Sequence, residues 1–288
     1  MARGNEPPDI AEAFDRSHGG RMRSDSVERI YRAAFGDDYA QDAQPNAFYS
    51  RTTLRRLADA LEAGPGRTVV DLGCGHGWPS LWVARQTGAN LVGIDLSPVG
   101  IELARYRAAE LGLTERVRFQ AGDITTTGLA DASCDAAMSL DVLPFVPDKG
   151  AAIREVARIL RPGGRFAFTI WEHLGGSAAG DADRAALSGT FQAHPLVESA
   201  HVDYRGLLED AGFAVEIYEE PPGWRSQQRA LAEGIIAAEE EVTPEMGAHY
   251  PAMARVFMAE LPTARYVFVA ARRRLSRTME IHSEVPTA

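Results

Sequence analysis

The chain has 288 residues, of which 45% are hydrophobic and 24% are charged, and these proportions are typical of a folded globular protein. They exclude a mainly disordered or fibrous chain, and the length allows one large domain or two small ones. The formal net charge of −10 argues against a protein that binds the phosphate backbone of nucleic acids.

The two cysteines, Cys74 and Cys134, lie far apart in the sequence and form no CxxC pair. This spacing indicates no disulfide framework and fits a reducing compartment. The N-terminal segment lacks the apolar stretch of a signal peptide, and no run reaches the roughly 18 apolar residues of a membrane span. We therefore predict a cytoplasmic protein without a membrane span.

The first 45 residues are polar, with two short amphipathic pieces that predict helices of a leader segment. A further helix is predicted at 48–61, before the breaker Gly64-Pro65-Gly66. Strand-like and helix-like segments then alternate. The strands are predicted at 68–74, 90–96, 117–121, 134–140 and 165–171. Helices are predicted between them at 79–86, from Pro98 to near Gly112, and at 149–160, with Ser97 as the N-cap of the second.

The alternation stops after the fifth strand. Residues 173–202 are rich in Gly, Ala and Ser, have no firm period, and are interpreted as an insertion or lid. The sequence then predicts a helix at 204–211, a strand at 213–218, a mostly helical segment at 225–260 and a last strand at 265–270. The pattern as a whole predicts an α/β protein with a doubly wound parallel sheet.

A glycine-rich loop, Asp71-Leu72-Gly73-Cys74-Gly75-His76-Gly77, follows the first strand and precedes a helix. Its glycines allow a tight turn and close approach to a ligand, and the helix N-terminus offers free N–H groups. Asp95 lies 18 residues beyond Gly77, the usual distance for a carboxylate that binds ribose hydroxyls. Together they predict a nucleoside-type cofactor; a tight turn without a ligand is the alternative.

Nicotinamide dinucleotides and S-adenosylmethionine are both candidates for this cofactor. The loop has the spacing GxGxG rather than the GxGxxG of dinucleotide sites. Asp71 would repel a pyrophosphate, whereas it suits an ammonium or a sulfonium cation. The charge therefore disfavours a dinucleotide.

Residues 69–77 resemble motif I of class I S-adenosylmethionine-dependent methyltransferases. Further segments are similar to later motifs of this family, in its order and spacing: 93–97, 121–124, 139–143 with 146–148, and 160–166. Within the family, the chain resembles small-molecule methyltransferases of the ubiquinone/menaquinone C-methyltransferase-like group. The resemblance covers residues 68–170.

The resemblance implies a Rossmann-like, doubly wound sheet of seven strands, mostly parallel with an antiparallel C-terminal strand. Residues 1–45 are then a helical leader or cap, and residues 46–272 form the methyltransferase domain. Lid insertions are expected at 173–202 and 223–262, and residues 273–288 form a polar tail. The Arg272–Arg274 cluster is interpreted as part of a solvated end rather than a nucleic-acid site.

The resemblance also implies how S-adenosylmethionine, or its product S-adenosylhomocysteine, is held. Asp71 is expected at the methionine end of the cofactor. Asp95 would accept both ribose hydroxyls, with Leu96 against the adenine. The loop backbone would contribute at Gly73, Gly75 and Gly77.

The remaining cofactor contacts implied by the resemblance lie further along the chain. Asp123 would accept the adenine amino group beside Ile124. The Leu140 backbone would lie near the sulfonium, and Phe48 would close over the cofactor. His76 and Trp78 are larger than the residues expected at these positions of the loop.

The acceptor is expected outside the carboxyl ends of the strands, where doubly wound sheets bind ligands. A base is needed only if the acceptor is a hydroxyl or an acidic carbon. His173 is the first candidate for this base, with Asp141 and His194 as alternatives. An apolar, aromatic pocket could also draw on Phe14, Tyr31, Phe35, Pro144, Phe145, Trp171, Phe191 and Trp224. No metal site is predicted, because the histidines lack tight spacing.

The sequence thus predicts methyl transfer to oxygen or carbon of a small, largely apolar or aromatic metabolite, in specialised metabolism. Two alternatives stay open. One is a relative that binds the cofactor without methylating, such as a cyclase or a binding protein. The other is a nicotinamide-dependent oxidoreductase.

Overall fold

A seven-stranded sheet forms the centre of the protein, in a computed structural model that describes residues 11–12, 14–15, 24–43, 49–174, 182, 185, 187 and 201–275. Its strands are β1 (Thr68–Leu72), β2 (Asn90–Asp95), β3 (Val117–Ala121), β4 (Cys134–Leu140), β5 (Leu160–His173), β6 (Phe213–Glu219) and β7 (Ala264–Arg273). Their order across the sheet is β3-β2-β1-β4-β5-β7-β6. Only β7 runs antiparallel to its neighbours, β5 and β6. The predicted sheet is confirmed.

The helices agree with the predicted alternation. They are α1 (Asp25–Phe35), α2 (Arg51–Ala60), α3 (Trp78–Thr87), α4 (Pro98–Glu110), α5 (Lys149–Ile159), α6 (Tyr204–Asp210), α7 (Trp224–Ala237), α8 (Glu239–Met246) and α9 (His249–Glu260). The Ser97 hydroxyl accepts from the Gly100 N–H at 3.0 Å, so the predicted cap of α4 is confirmed. The long helical prediction at 225–260 is three helices, interrupted at Ala238 and Gly247.

Two strand boundaries differ from the sequence prediction. The first strand ends at Leu72 instead of Cys74, because Gly73 turns the backbone with a φ of 79°. The fifth strand starts at Leu160, five residues before the predicted Arg165. Gly163 has a φ of 79° there, and the register with β4 shifts, so the glycine pair lies in an irregularity of the strand.

Two apolar layers cover the sheet, one on each face. Val69 contributes to the layer with α2, α3 and α4, whereas Val70 contributes to the layer with α5 and α6. Consecutive residues of a strand point to opposite faces, so the uninterrupted apolar run of β1 serves both layers. The glycine loop and the other loops that follow the strands therefore extend from a sheet that is packed on both faces.

A third apolar cluster joins the leader helix to the C-terminal helices. Tyr31 and Phe35 of α1 are buried in it together with Leu231 and Ile235 of α7. The backbones approach closely at Gly234, where a Cβ would lie 2.6 Å from the Ile30 Cγ2. We call this unit of α1, α7, α8 and α9 the cap. The boundaries predicted between leader, domain and lids stay predictions.

Two further predictions concern the cysteines and a membrane span. Cys74 and Cys134 are buried free thiols. Within the described ranges, no helix has the length and apolar character that crossing a bilayer requires.

Candidate active site

The glycine loop between β1 and α3 depends on its glycines for two reasons. Gly73, Gly75 and Gly77 have φ values of 79°, 51° and 84°, a region that side chains with a Cβ rarely adopt. A Cβ on Gly73 would also overlap the Val142 side chain, and one on Gly77 would lie 2.7 Å from the Ala104 Cβ. The loop thus packs its backbone closely against α4 and the turn after β4.

Asp95 at the end of β2 is held in place by backbone donors. Its Oδ2 accepts from the Gly75 N–H at 2.7 Å and its Oδ1 from the Ser97 N–H at 2.8 Å. The residue is 8% exposed. Each carboxylate oxygen has room for another hydrogen bond, so the pair can still accept two hydroxyls side by side. Beside it, Leu96 exposes an apolar side chain.

Asp71 at the end of β1 is a buried carboxylate, 2% exposed, that accepts a hydrogen bond from the Ser80 hydroxyl. Burial raises the pKa of Asp71 to about 7; the Ser80 hydrogen bond opposes this rise, and the charge of Asp95 adds to it. An organic cation beside Asp71 would compensate the buried charge. The two carboxylates therefore suit a ligand that carries a cation near a pair of hydroxyls.

The other residues expected at the cofactor lie along the same edge of the sheet. Asp123 follows β3, where its Oδ1 accepts from the Thr125 N–H and hydroxyl, each at 2.8 Å. Its Oδ2 accepts no hydrogen bond from the described residues. Ile124 is buried, and Leu140 at the end of β4 is half-buried. Phe48 lies outside the described residues.

The two large residues of the loop pack toward α4. His76 is buried, and its carbonyl accepts from Arg107 Nη1 at 2.8 Å. The same guanidinium lies over the Trp78 ring, 5.3 Å from its centroid. His76 and Trp78 therefore contribute to the anchoring of the loop on α4.

A hydrogen-bonded carboxylate occupies the carboxyl end of β4. Asp141 has a φ of 59°, an uncommon conformation for a residue with a side chain. Its Oδ1 accepts from the Thr169 hydroxyl at 2.9 Å and its Oδ2 from the Tyr266 hydroxyl at 2.8 Å. Burial raises the pKa of Asp141 to about 6, although both hydrogen bonds lower it.

Aromatic side chains surround this carboxylate network. Tyr266 is fully buried, with its ring 4.6 Å from the Trp224 ring and 5.3 Å from the Trp171 ring. Trp171 in turn meets Phe257 edge to face at 4.7 Å. The predicted pocket residues Trp171 and Trp224 thus pack on the same tyrosine, Tyr266, which donates to Asp141. We call these three rings the aromatic wall.

His173 lies on the same face of β5 as Thr169 and Trp171, because side chains alternate along a strand. It is four residues beyond Thr169, which corresponds to about 13 Å along the strand. The structure therefore places Asp141, and not His173, in the network with Thr169. The role of His173 as a base stays a prediction, and His194 and Phe191 lie outside the described residues.

The described part of the leader contacts both sides of the site. The Phe14 ring meets the Phe145 ring edge to face at 5.5 Å, beside the turn after β4. Asp15 Oδ1 accepts from the Ser97 hydroxyl at 2.5 Å, at the start of α4. Tyr31 and Phe35 lie in the cap cluster, and Pro144 is buried.

The residues that the sequence left unnoticed are Tyr49, Thr169 and Tyr266. Burial raises the pKa of Tyr49, and the charges of both Asp71 and Asp141 raise it further. Tyr49 therefore lies within electrostatic reach of both carboxylates. The alternation of β7 places Tyr266 on one face of the sheet, but its partner lies 125 residues away and no local pattern identifies it.

Comparison with known proteins agrees with this geometry. Residues 70–168 match the family described as methyltransferase domains. The chain is 30% identical over 282 residues to the methyltransferase GfsG of Streptomyces halstedii, covering 94% of this chain and 99% of that protein. The chain belongs to the class I S-adenosylmethionine-dependent methyltransferases. The methyltransferase is also 29% identical over 279 residues to 27-O-demethylrifamycin SV methyltransferase of Amycolatopsis mediterranei, covering 93% and 97% of the two chains.

Solved structures show the same fold at lower identity. The [4+2]-cyclase SpnF superposes with a TM-score of 0.67 at 23% identity and covers 95% of the methyltransferase and 100% of its own chain. The geranyl diphosphate C-methyltransferase of Streptomyces coelicolor gives 0.67 at 20%, covering 92% and 96%. The predicted family and the predicted cofactor, S-adenosylmethionine, are thereby confirmed. The ubiquinone/menaquinone-like subgroup stays a prediction.

The residues at the sheet edge fit this cofactor. The buried Asp71 suits its cationic end, and the paired oxygens of Asp95 suit the ribose hydroxyls. Leu96 offers an apolar surface for the adenine. The individual contacts of these residues, and those expected of Asp123 and Ile124, stay predictions.

The affinity for S-adenosylhomocysteine is expected to depend on pH through Asp71. The ammonium of the ligand binds the ionised carboxylate, so a proton on Asp71 must leave first. With a pKa of about 7 in the free protein, the affinity is present above pH 7 and is lost as the pH falls. We expect the Kd to be about tenfold higher at pH 6 than at pH 8, as measured by calorimetry.

The variant Asp71→Asn provides the control for this pH dependence. It should bind S-adenosylhomocysteine weakly and equally at both pH values. Its Tm without ligand at pH 8 should be at least that of the wild type, because no buried charge remains. A Kd of the wild type that does not change between pH 6 and pH 8 would contradict the role of Asp71.

Proposed function

We propose that this enzyme transfers a methyl group to a hydroxyl of a small, largely apolar molecule, with Asp141 as the general base. One observation carries the proposal. A carboxylate whose pKa is raised to about 6 by burial lies at the carboxyl end of β4, where it is fixed by Tyr266 and Thr169. General bases work best when their pKa lies near the working pH.

The arrangement assigns a task to each group. The cofactor supplies a methyl group on a positively charged sulfur. Asp95 and the glycine loop hold it at the strand ends, while Asp71 balances its charge. Asp141 has lone pairs left on both oxygens, and these would accept the proton of the acceptor hydroxyl. The aromatic wall around Tyr266 keeps water from the reacting atoms.

The relatives support oxygen rather than carbon as the acceptor atom. The name of the Amycolatopsis enzyme states an O-demethylated rifamycin as its substrate, and the similarity runs along nearly the full length of both chains. A hydroxyl acceptor must also lose its proton, and this requires a general base, whereas the transfer of the methyl group itself requires no base. The cyclase SpnF shares only the fold at 23% identity, so it supports no cyclase activity here.

The first test is transfer of a radiolabelled methyl group from S-adenosylmethionine. Candidate acceptors are 27-O-demethylrifamycin SV and extracts of the producing cell, with the labelled product located by mass spectrometry and NMR. We expect the label on oxygen. A label on carbon would contradict the proposal, and tight binding of S-adenosylhomocysteine with no transfer to any acceptor would favour a non-methylating role.

The variant Tyr266→Phe should shift the pH dependence of the reaction. Activity is expected to fall as the pH drops through the pKa of Asp141, which is about 6 before the cofactor binds. The Tyr266 hydrogen bond lowers this pKa, so its removal should raise the pKa and move the acid limb of the profile to higher pH. Rates measured between pH 5 and pH 8 test this. An unmoved acid limb would show that Asp141 does not set the profile.

A further inference from the structure

Gln228 on α7 presents a buried carboxamide. The residue is 1% exposed, and within the part of the chain that the structure describes neither Oε1 nor Nε2 has a hydrogen-bond partner. A buried amide that is left without hydrogen bonds destabilises the fold, because it has given up its bonds to water. Such a pair of atoms is expected where a ligand supplies the missing bonds. We propose that Gln228 binds a neutral oxygen group of the methyl acceptor.

Gln228 lies on the face of α7 that contacts the proposed reaction centre through Trp224. Trp224, one helical turn earlier on the same face, packs its ring on Tyr266 at 4.6 Å. Tyr266 donates to Asp141 at 2.8 Å. A single aromatic contact and a single hydrogen bond therefore connect the face of α7 that carries Gln228 with the proposed base.

The other neighbours of Gln228 on this face belong to the cap. Leu231 and Ala232, three and four residues later, are buried in the cluster with Tyr31 of the leader. Trp224 instead belongs to the cluster that covers the sheet. Gln228 thus lies where the two apolar clusters meet along α7. An acceptor bound between the cap and the carboxyl ends of the strands would contact α7 at this boundary between the two clusters.

The chemistry of the carboxamide indicates the class of acceptor. An amide offers one acceptor oxygen and two N–H donors but no charge. It matches a hydroxyl or a carbonyl on an otherwise apolar or aromatic skeleton, as the surrounding aromatic residues require. This inference rests on the proposed function: Asp141 would bind the hydroxyl that is methylated, and Gln228 a second oxygen group that orients the skeleton.

The test compares two probes that differ by one hydroxyl, 2-naphthol and naphthalene. Both are titrated by NMR into the protein saturated with S-adenosylhomocysteine. We expect the wild type to bind 2-naphthol about fivefold more tightly, the effect of one net hydrogen bond. Gln228→Leu should abolish the preference by weakening 2-naphthol alone. Gln228→Met is the second variant, should the leucine not fold.

The matched control is Gln227→Leu. Gln227 is the preceding residue of α7 and is only half-buried, and its Nε2 donates to Asp38 Oδ2 at 3.4 Å, so its amide already has a partner. It should keep the preference for 2-naphthol. The Tm of Gln228→Leu should equal or exceed that of the wild type, because two unpaired polar atoms are removed.

Three results would overturn the inference. They are equal binding of both probes by the wild type, a preference that survives in Gln228→Leu, and binding of neither probe. A surviving preference would mean that Asp141 alone, or a buried water at Gln228, accounts for the hydroxyl. A wild type that transfers no labelled methyl group, yet loses its preference in Gln228→Leu, would refute the proposed reaction and not the binding role of Gln228.

Discussion

Replacing Asp141 with asparagine is expected to lower kcat for methyl transfer at least a hundredfold. General base catalysis contributes about 10²–10⁴ in rate, and asparagine cannot accept the proton. The substitution keeps the size of the side chain and leaves an oxygen to accept from Tyr266 or Thr169. We therefore expect the Kd for S-adenosylhomocysteine, measured by calorimetry, to stay within about threefold of the wild type.

The control for this loss is Asp131→Asn. The Asp131 side chain is 81% exposed and pairs with Arg158. It lies just before the amino end of β4, whereas Asp141 follows the carboxyl end of this strand. Its kcat should equal that of the wild type. If the Asp141→Asn enzyme retains more than about a tenth of the wild-type kcat, Asp141 is not the base, and His173 is again the first candidate for that role.

Replacing Asp95 with alanine is expected to weaken the binding of S-adenosylhomocysteine about a hundredfold or more. Hydrogen bonds to a charged group contribute about 1.5–3 kcal/mol each, and two ribose hydroxyls would lose their acceptor. The N–H groups of Gly75 and Ser97 would lose theirs as well, so the loop would be held less firmly. Calorimetry at pH 8 measures the effect, where Asp71 is ionised.

Asp59→Ala separates this effect from a general loss of charge. Asp59 is exposed on α2, and the same substitution there should leave the Kd unchanged. A Tm of the ligand-free Asp95→Ala protein within a few degrees of the wild type would show that the fold persists. Binding weakened less than about tenfold would contradict the assignment of Asp95 to the ribose.

The sheet was predictable because its signals are local. Apolar runs such as Val69-Val70 are typical of buried parallel strands, and Ser97 with Pro98 identifies the start of a helix from two adjacent residues. The start of the fifth strand was predicted wrongly, at Arg165 instead of Leu160, and this error has a physical cause. Pro162-Gly163-Gly164 usually separates two elements, but here β4 pairs with Leu160 before the glycines and with Arg165 after them, so the glycines lie inside one strand.

Only those site residues that stand at the end of a strand could be predicted from the sequence. Asp71 and Asp95 follow consecutive strands, so the fold brings them together. Thr169 and Tyr266 were missed because they meet Asp141 across 28 and 125 residues. Gln228 was missed for another reason: one glutamine in an amphipathic helix is typical of a solvated face, and only packing shows that it is buried.

The position of β7 in the sheet has a consequence for synthesis of the chain. β7 is the last of the described strands in sequence, yet it lies between β5 and β6 and brings Tyr266 to Asp141. While the ribosome is still translating residues before 264, β6 has no partner strand among the described elements and Asp141 lacks one of its two donors. A nascent chain can therefore assemble the cofactor edge from β1 to β4 early, but Asp141 acquires both of its hydrogen-bond donors only after Tyr266 has emerged.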